Sequence, residues 1–119
     1  DRCFDGASVE TIVAALAAED GGWAREALAA MERASPTSLK ITLRQLEAGH
    51  GLTIEGALAL EYRMTQHCLA APDFLEGIRA QLIDKDRQPR WQPATLEAVS
   101  ERAVEGYFAP LGARELRFP

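Results

Sequence analysis

Alanine and leucine outnumber the β-branched aliphatic residues so heavily that the chain is predicted to be helical. The 119 residues include 21 alanines and 14 leucines, but only nine valines and isoleucines together. Sheets favour β-branched residues, whereas alanine and leucine are strong helix formers. With 47% apolar and 26% charged residues the chain is not intrinsically disordered, and its length allows one domain. We therefore expect an all-α domain.

Capping residues and apolar periodicity divide the chain into five to seven helices. Ser8 and Thr53 are predicted N-caps, and Ser35 followed by Pro36 is a strong helix start. Helices are predicted near 8–20, 23–34, 36–48, 54–70, 74–84, 94–99 and 101–109, with an extended loop over 85–93.

The fifth predicted helix opens at Asp73, and Glu76 three residues later forms a pattern typical of a capping box. Its inner face is predicted to consist of Phe74, Ile78 and Leu82.

Many of the helical stripes consist of alanine, which buries little area per residue. We expect such thin cores to need another surface, either in the same protein or in a second subunit, so a homo-oligomer is possible. Glu61 falls on the apolar stripe of the fourth helix, and we expect it to be partly buried in an ion pair with Arg44 or Arg63.

Charge and composition exclude several classes of partner. The net charge of −5 gives no basic surface, which argues against binding to nucleic acid or to an anionic membrane. No apolar run reaches about 20 residues, and no signal peptide is visible. The two cysteines, Cys3 and Cys68, are too few for a disulfide framework and fit a reducing compartment. We expect a cytoplasmic protein if the source is bacterial and a mitochondrial matrix protein if it is eukaryotic.

The residues offer no complete active site. His50 lies between two glycines, and His67 has no other ligand at a metal-binding spacing, so no metal site is predicted. Cys68 points to a different helix face from His67 and is interpreted as a core thiol. No glycine-rich phosphate loop follows a strand pattern. No catalytic residue is predicted from the residues themselves.

A small basic group lies beyond the fifth helix. Lys85, Arg87 and Arg90 stand beside Trp91, either as part of a solvated loop or as a contact for a phosphate-bearing ligand such as a nucleotide.

Two long stretches carry a family resemblance. They are SPTSLKITLRQLEAG, over 35–49, and LEYRMTQHCLAAPDFLEGIRAQLIDKDRQPRWQP, over 60–93. Together they resemble the C-terminal part of the 3-hydroxyisobutyryl-CoA hydrolase branch of the crotonase (enoyl-CoA hydratase/isomerase) superfamily. The most specific pieces are 35–40, 61–63, 76–77, 82–86 and Pro89, and the similarity extends over nearly the whole chain. The long form Leu-Ile-Asp-Lys-Asp is similar to the hydrolase branch rather than to the hydratases.

The resemblance implies a ββα-spiral core that binds the acyl-CoA, with two backbone amides forming an oxyanion hole. It implies hydrolysis of 3-hydroxyisobutyryl-CoA in valine breakdown, with acyl-CoA as substrate and no cofactor. This chain contains no strand pattern, oxyanion loop or core acids, so no catalytic residue is carried over and the segment alone is expected to be inactive.

One binding position is implied by the resemblance. In crotonases a lysine of a Glu-Lys-Arg segment reaches the phosphate or adenine end of CoA, and Lys85 matches it, with Arg87 as a second candidate. Here Asp84 and Asp86 flank the lysine, and we expect them to offset part of its charge.

The resulting prediction is a helical C-terminal domain that packs on, or covers, the acyl-CoA site of its own crotonase core. Two alternatives are the tail of an enoyl-CoA hydratase or isomerase and a non-enzymatic helical interaction module.

Overall fold

A computed structural model describes residues 2–119, and across that range the backbone forms helices and loops without a strand. The all-α prediction is confirmed. The α-helices are α1 (Val9–Ala18), α2 (Gly22–Arg33), α3 (Pro36–Gly49), α4 (Ile54–Leu69), α5 (Pro72–Ile78) and α6 (Glu101–Gly106). A π-helical turn, Arg79–Ile83, continues α5, and short 3₁₀ turns lie at Arg2–Phe4 and Gly112–Arg114.

The helix starts are fixed by local side-chain caps. The Ser8 hydroxyl accepts from the Thr11 amide at 3.2 Å, and the Thr11 hydroxyl accepts from the Ser8 amide at 3.1 Å. Ser35 caps α3 through the Ser38 amide, and Thr53 caps α4 in the same way. These contacts satisfy amides that have no partner inside the helix.

The helix expected over 94–99 is wrong, because the segment forms bends and one turn. Val99 is buried there in the core, and its carbonyl accepts a hydrogen bond from Lys40 Nζ at 3.1 Å. Ser100 caps the next helix, α6, one residue later. The end of the segment is thus held by the burial of Val99, by the Lys40 hydrogen bond and by the start of α6.

The first apolar core lies between the N-terminal 3₁₀ turn, α1 and α2. Its buried residues are Cys3, Ile12, Leu16 and Ala24, with Leu28, Met31 and Leu43 among the partly buried side chains around them. Among residues 2–119, only Leu16, at 1% exposure, combines a large side chain with complete burial.

The second apolar core joins α3, α4 and α6. It contains Ile41, Met64, Val99 and Val104, with Leu60, Cys68, Tyr107 and Phe108 packed against it. Helix α3 contributes to both cores, so it connects the two halves of the chain.

The molecule is extended and exposes a large surface. Its Cα radius of gyration is 15.8 Å, against about 13.5 Å for a compact domain of this length. Its accessible surface is 8,263 Å², whereas a folded monomer of this mass exposes about 6,300 Å². Two small cores and an excess of about 2,000 Å² mean that these helices do not enclose a single interior.

Much of the excess surface is apolar. The most exposed large apolar side chains are 63% to 81% accessible: Leu46, Ile54, Leu75, Leu82 and Ile83. The inner face predicted for the fifth helix is therefore wrong for Phe74 and Leu82, which are both exposed. The helical periodicity is present, but within residues 2–119 these two side chains remain uncovered.

Candidate functional site

The most densely hydrogen-bonded feature of the surface is the loop that follows the π-helical turn. The amide of Asp84 donates to the carbonyl of Arg79 at 2.8 Å, which closes this wide turn. π-Helical turns occur often at functional sites. The turn ends the helix and sends the chain back over the Arg79 side chain.

Arg79 organises the loop through its guanidinium group. Two bonds go to the Glu76 carboxylate, at 2.9 Å from Nε and 2.7 Å from Nη2. Nη1 donates to Asp84 at 2.8 Å and to Asp86 at 2.7 Å. Nη2 also donates to the Gln88 carbonyl at 3.3 Å. One planar fork thus holds a helical carboxylate, two loop carboxylates and a loop carbonyl, a pattern suited to arginine and not to lysine.

The charges in this network shift its proton affinities. The hydrogen bonds from Arg79, followed by the backbone amide of Arg90, lower the pKa of Glu76 to about 2. Arg79 and then the Gln88 amide lower the pKa of Asp86 below its ordinary value. The expectation that Glu76 completes a capping box is wrong, because its carboxylate is committed to Arg79 and to the Arg90 amide.

The far end of the loop is anchored on other helices. Trp91 Nε1 donates to the carbonyl of Arg33, at the end of α2, at 3.1 Å. The Asp73 carboxylate accepts from the Ser35 hydroxyl at 2.5 Å and from the Gln92 amide at 2.8 Å. The loop is therefore held at both ends and in its middle.

Lys85 and Arg87 stand between the residues that bind Arg79. Both have φ of +56°, a left-handed conformation that costs a non-glycine residue free energy. Both side chains are exposed, and neither pairs with a carboxylate elsewhere in residues 2–119. Asp84 and Asp86, which were expected to offset part of the lysine charge, form their direct ion pairs with Arg79.

A second concave region was missed by the sequence reasoning. A groove of about 580 Å³ lies between the start of α1, α3 and α6. On its wall Lys40 pairs with Glu10 at 2.6 Å, and the Lys40 hydrogen bond lowers the pKa of Glu10. The pair joins residues 30 positions apart, so no local sequence pattern predicts it. It ties α1 to α3 and leaves neither group free for a ligand.

The prediction for Glu61 is wrong. Glu61 is exposed and accepts from Gln45 Nε2 at 3.1 Å. Arg44 instead pairs with Glu105 at 2.8 Å, and Arg63 pairs with Glu115 at 2.9 Å. Position on a stripe predicted burial, but the Glu61 side chain faces solvent, while Leu60 and Met64 beside it pack in the second core.

Histidines and cysteines do not gather into a reactive centre. His67 Nε2 lies 3.0 Å from the Ala109 carbonyl, and burial raises the pKa of the Cys68 thiol. Residues 2–119 contain no group of three histidine, cysteine or acidic side chains placed to hold a metal ion. Over the same residues, no helix has both the length and the apolar character needed to cross a bilayer.

Residues 1–108 match the sequence model of a protein family described as enoyl-CoA hydratase/isomerase. The chain belongs to the enoyl-CoA hydratase/isomerase family. The resemblance inferred from the two long motifs is confirmed.

Curated members of the family match almost the whole chain. The rat (Rattus norvegicus) 3-hydroxyisobutyryl-CoA hydrolase, mitochondrial, is 46% identical over 118 residues, which are 99% of this chain and 31% of the relative. The human (Homo sapiens) protein of the same name is 45% identical with the same coverage. The chain therefore spans about a third of the length of these relatives.

Solved structures in the family share the fold. An enoyl-CoA hydratase from Rhodobacter sphaeroides 2.4.1 has a TM-score of 0.92 and 47% identity, covering 99% of this chain and 35% of that one. A carnitinyl-CoA dehydratase from Mycobacterium thermoresistibile has a TM-score of 0.91 and 42% identity, covering 99% and 34%. The extended arrangement of helices thus occurs in these structures as part of a chain about three times as long.

Proposed function

We propose that this chain is the C-terminal helical part of a CoA-thioester hydrolase that acts on 3-hydroxyisobutyryl-CoA in valine catabolism. The observation that carries the proposal is the 46% identity to a 3-hydroxyisobutyryl-CoA hydrolase over 99% of the chain. The matched relatives are about three times as long, so we assign bond cleavage to the crotonase core outside this segment.

The helices have a covering role in this proposal. Leu75, Leu82 and Ile83 are exposed beside the Arg79 loop, and the total surface exceeds that of a compact monomer by about 2,000 Å². An excess of that size is comparable with the area that one partner loses in a large, stable interface. The segment therefore packs against its own core, on or near the acyl-CoA site.

Lys85 and Arg87 are proposed to contact the phosphates of CoA. Their support is geometric: two cationic side chains stand two residues apart on an anchored loop, exposed and unpaired within residues 2–119. Phosphate oxygens are preferred partners of both groups. Acyl-CoA is the substrate in this scheme, with no further cofactor or metal. Lys85→Ala in the full-length enzyme is expected to weaken CoA-ester binding and reduce its salt dependence, and an unchanged KM at low salt would remove the assignment.

The second candidate function is the tail of an enoyl-CoA hydratase. The hydratase structure from Rhodobacter sphaeroides, 47% identical over the same segment, favours it. The full-length protein should be assayed with 3-hydroxyisobutyryl-CoA and with crotonyl-CoA. Release of free CoA from the first, without hydration of the second, supports the hydrolase, and the reverse result supports the hydratase.

The 119-residue segment alone is proposed to be inactive, because the residues described here form no catalytic constellation. Turnover of 3-hydroxyisobutyryl-CoA by the isolated segment would contradict this. A full-length protein without activity on either ester would favour the non-enzymatic interaction module instead. We place the protein in the cytoplasm of a bacterial source or in the mitochondrial matrix of a eukaryotic one.

A further inference from the structure

We propose that Arg79 is a positioning residue for acyl-CoA binding: by pairing with Asp84 and Asp86, it holds Lys85 and Arg87 outward as a phosphate-binding pair. The inference rests on the proposed function and adds to it a residue that need not touch the ligand.

The first argument is the alternation along the loop. Three groups from every second residue, the carboxylates of Asp84 and Asp86 and the carbonyl of Gln88, converge on Arg79 at 2.7 to 3.3 Å. The intervening Lys85 and Arg87 adopt the left-handed conformation that lets the chain place its alternate residues around one guanidinium. The Arg87 amide donates to the Ala80 carbonyl at 3.0 Å and the Gln88 amide to Asp86 at 2.8 Å, so the backbone has supports of its own, and Arg79 fixes which way the side chains of the loop point.

The second argument is electrostatic. Asp84 and Asp86 are the sequence neighbours of Lys85, and free carboxylates at these positions would compete with a phosphate for its ammonium group. Their pairing with Nη1 of Arg79, at 2.8 and 2.7 Å, directs both carboxylates toward the guanidinium and leaves the Lys85 ammonium group without a direct carboxylate contact in residues 2–119. The loop then presents two unpaired cations although its acidic and basic residues are interleaved.

The third argument concerns stability. Over α5 and the π-helical turn, Ala80 is the one fully buried residue. Arg79 is 29% exposed, and its partners Glu76, Asp84 and Asp86 are 19%, 53% and 41% exposed, so every member of the network reaches solvent. Ion pairs this exposed contribute little to global folding. Arg79 nevertheless makes five hydrogen bonds. We infer that their role is to fix the geometry of the loop and not to stabilise the fold.

The test is a double-mutant cycle in the full-length enzyme, with acyl-CoA turnover measured at low ionic strength. Arg79→Met should raise KM about tenfold and leave kcat within about twofold. In a Lys85→Ala, Arg87→Ala background the same Arg79→Met substitution should change KM by less than about twofold, because its targets are gone. Arg79→Lys should give an intermediate KM, since an ammonium group cannot bridge the carboxylates as a planar fork does.

Arg25→Met is the matched control, because Arg25 on α2 is exposed and pairs with no carboxylate in the described part of the chain. It should leave both constants unchanged. An equal KM rise for Arg79→Met in both backgrounds, or wild-type KM for Arg79→Lys, would overturn the positioning role. A Lys85→Ala, Arg87→Ala variant with unchanged KM would instead remove the proposed phosphate contact itself, so the two failures are distinguishable.

Discussion

The α1–α2 hairpin and the segment 72–92 are held together by opposite kinds of force. The hairpin encloses Ile12, Leu16 and Ala24 in an apolar core with no charged group inside it. The segment 72–92 buries only Ala80 and is organised by the Arg79 network. Apolar burial stabilises the hairpin in proportion to the apolar area that it removes from water. Exposed ion pairs fix the shape of a loop but contribute little to the free energy of unfolding.

This difference separates the parts of the molecule by role. The hairpin contains the first apolar core, and α3 packs against both this core and the second one. The segment 72–92 carries exposed cations and exposed apolar side chains, which the proposed function assigns to the CoA phosphates and to the crotonase core.

The largest expected effect comes from the apolar core. Leu16→Ala should lower the free energy of unfolding by about 3 kcal/mol, because it leaves a cavity at the one large, fully buried side chain. Its control is Leu75→Ala, at a 63% exposed position, which should cost less than about 0.5 kcal/mol in this chain. Urea denaturation checks both, and equal losses would mean that the two regions do not differ.

A smaller effect is expected from the strained loop. Lys85→Gly should be more stable than Lys85→Ala by about 1 kcal/mol, since glycine adopts a φ of +56° without steric cost while alanine does not. Both variants lack the charge, so their difference isolates the backbone term. Thermal unfolding measures it, and an alanine variant as stable as the glycine variant would argue against a strained residue 85.

The smallest expected effect is a local response to acid. The Glu76 pKa of about 2 lies below the ordinary 4.5, so its contribution to folding is complete above pH 4.5 and is lost as the pH falls through 2. NMR titration of the Glu76 side-chain carbon should follow that range in the native chain. In Arg79→Met the titration should return toward the ordinary pKa. A native Glu76 that titrates near its ordinary pKa would contradict the network.

Features that depend on near neighbours could be predicted from the sequence. The caps at Ser8, Ser35 and Thr53 each involve an amide three residues away, and all three are present. The all-α class followed from composition in the same direct way. Local chemistry is sufficient when a side chain binds within its own turn.

Features that depend on distant groups could not be predicted. Glu61 lies on an apolar stripe, but a stripe does not say which side chains of a long helix meet a neighbour. The Glu61 side chain faces solvent. The Arg79 network joins residues three to nine positions apart through an irregular turn, so no periodicity marks it. Lys85 and Arg87 were indicated by the local basic group and by the family resemblance, whereas their left-handed backbone is visible only in the structure.

The central claim, that the exposed apolar side chains are covered by the remainder of the protein, is tested most directly by hydroxyl-radical footprinting with mass spectrometry. The oxidation rates of Ile54, Leu82 and Ile83, which are 69% to 81% exposed here, should be compared between the 119-residue chain and the full-length protein. The account predicts at least about fivefold protection in the full-length protein, because buried apolar groups lose contact with solvent. Equal rates in the two proteins would contradict it.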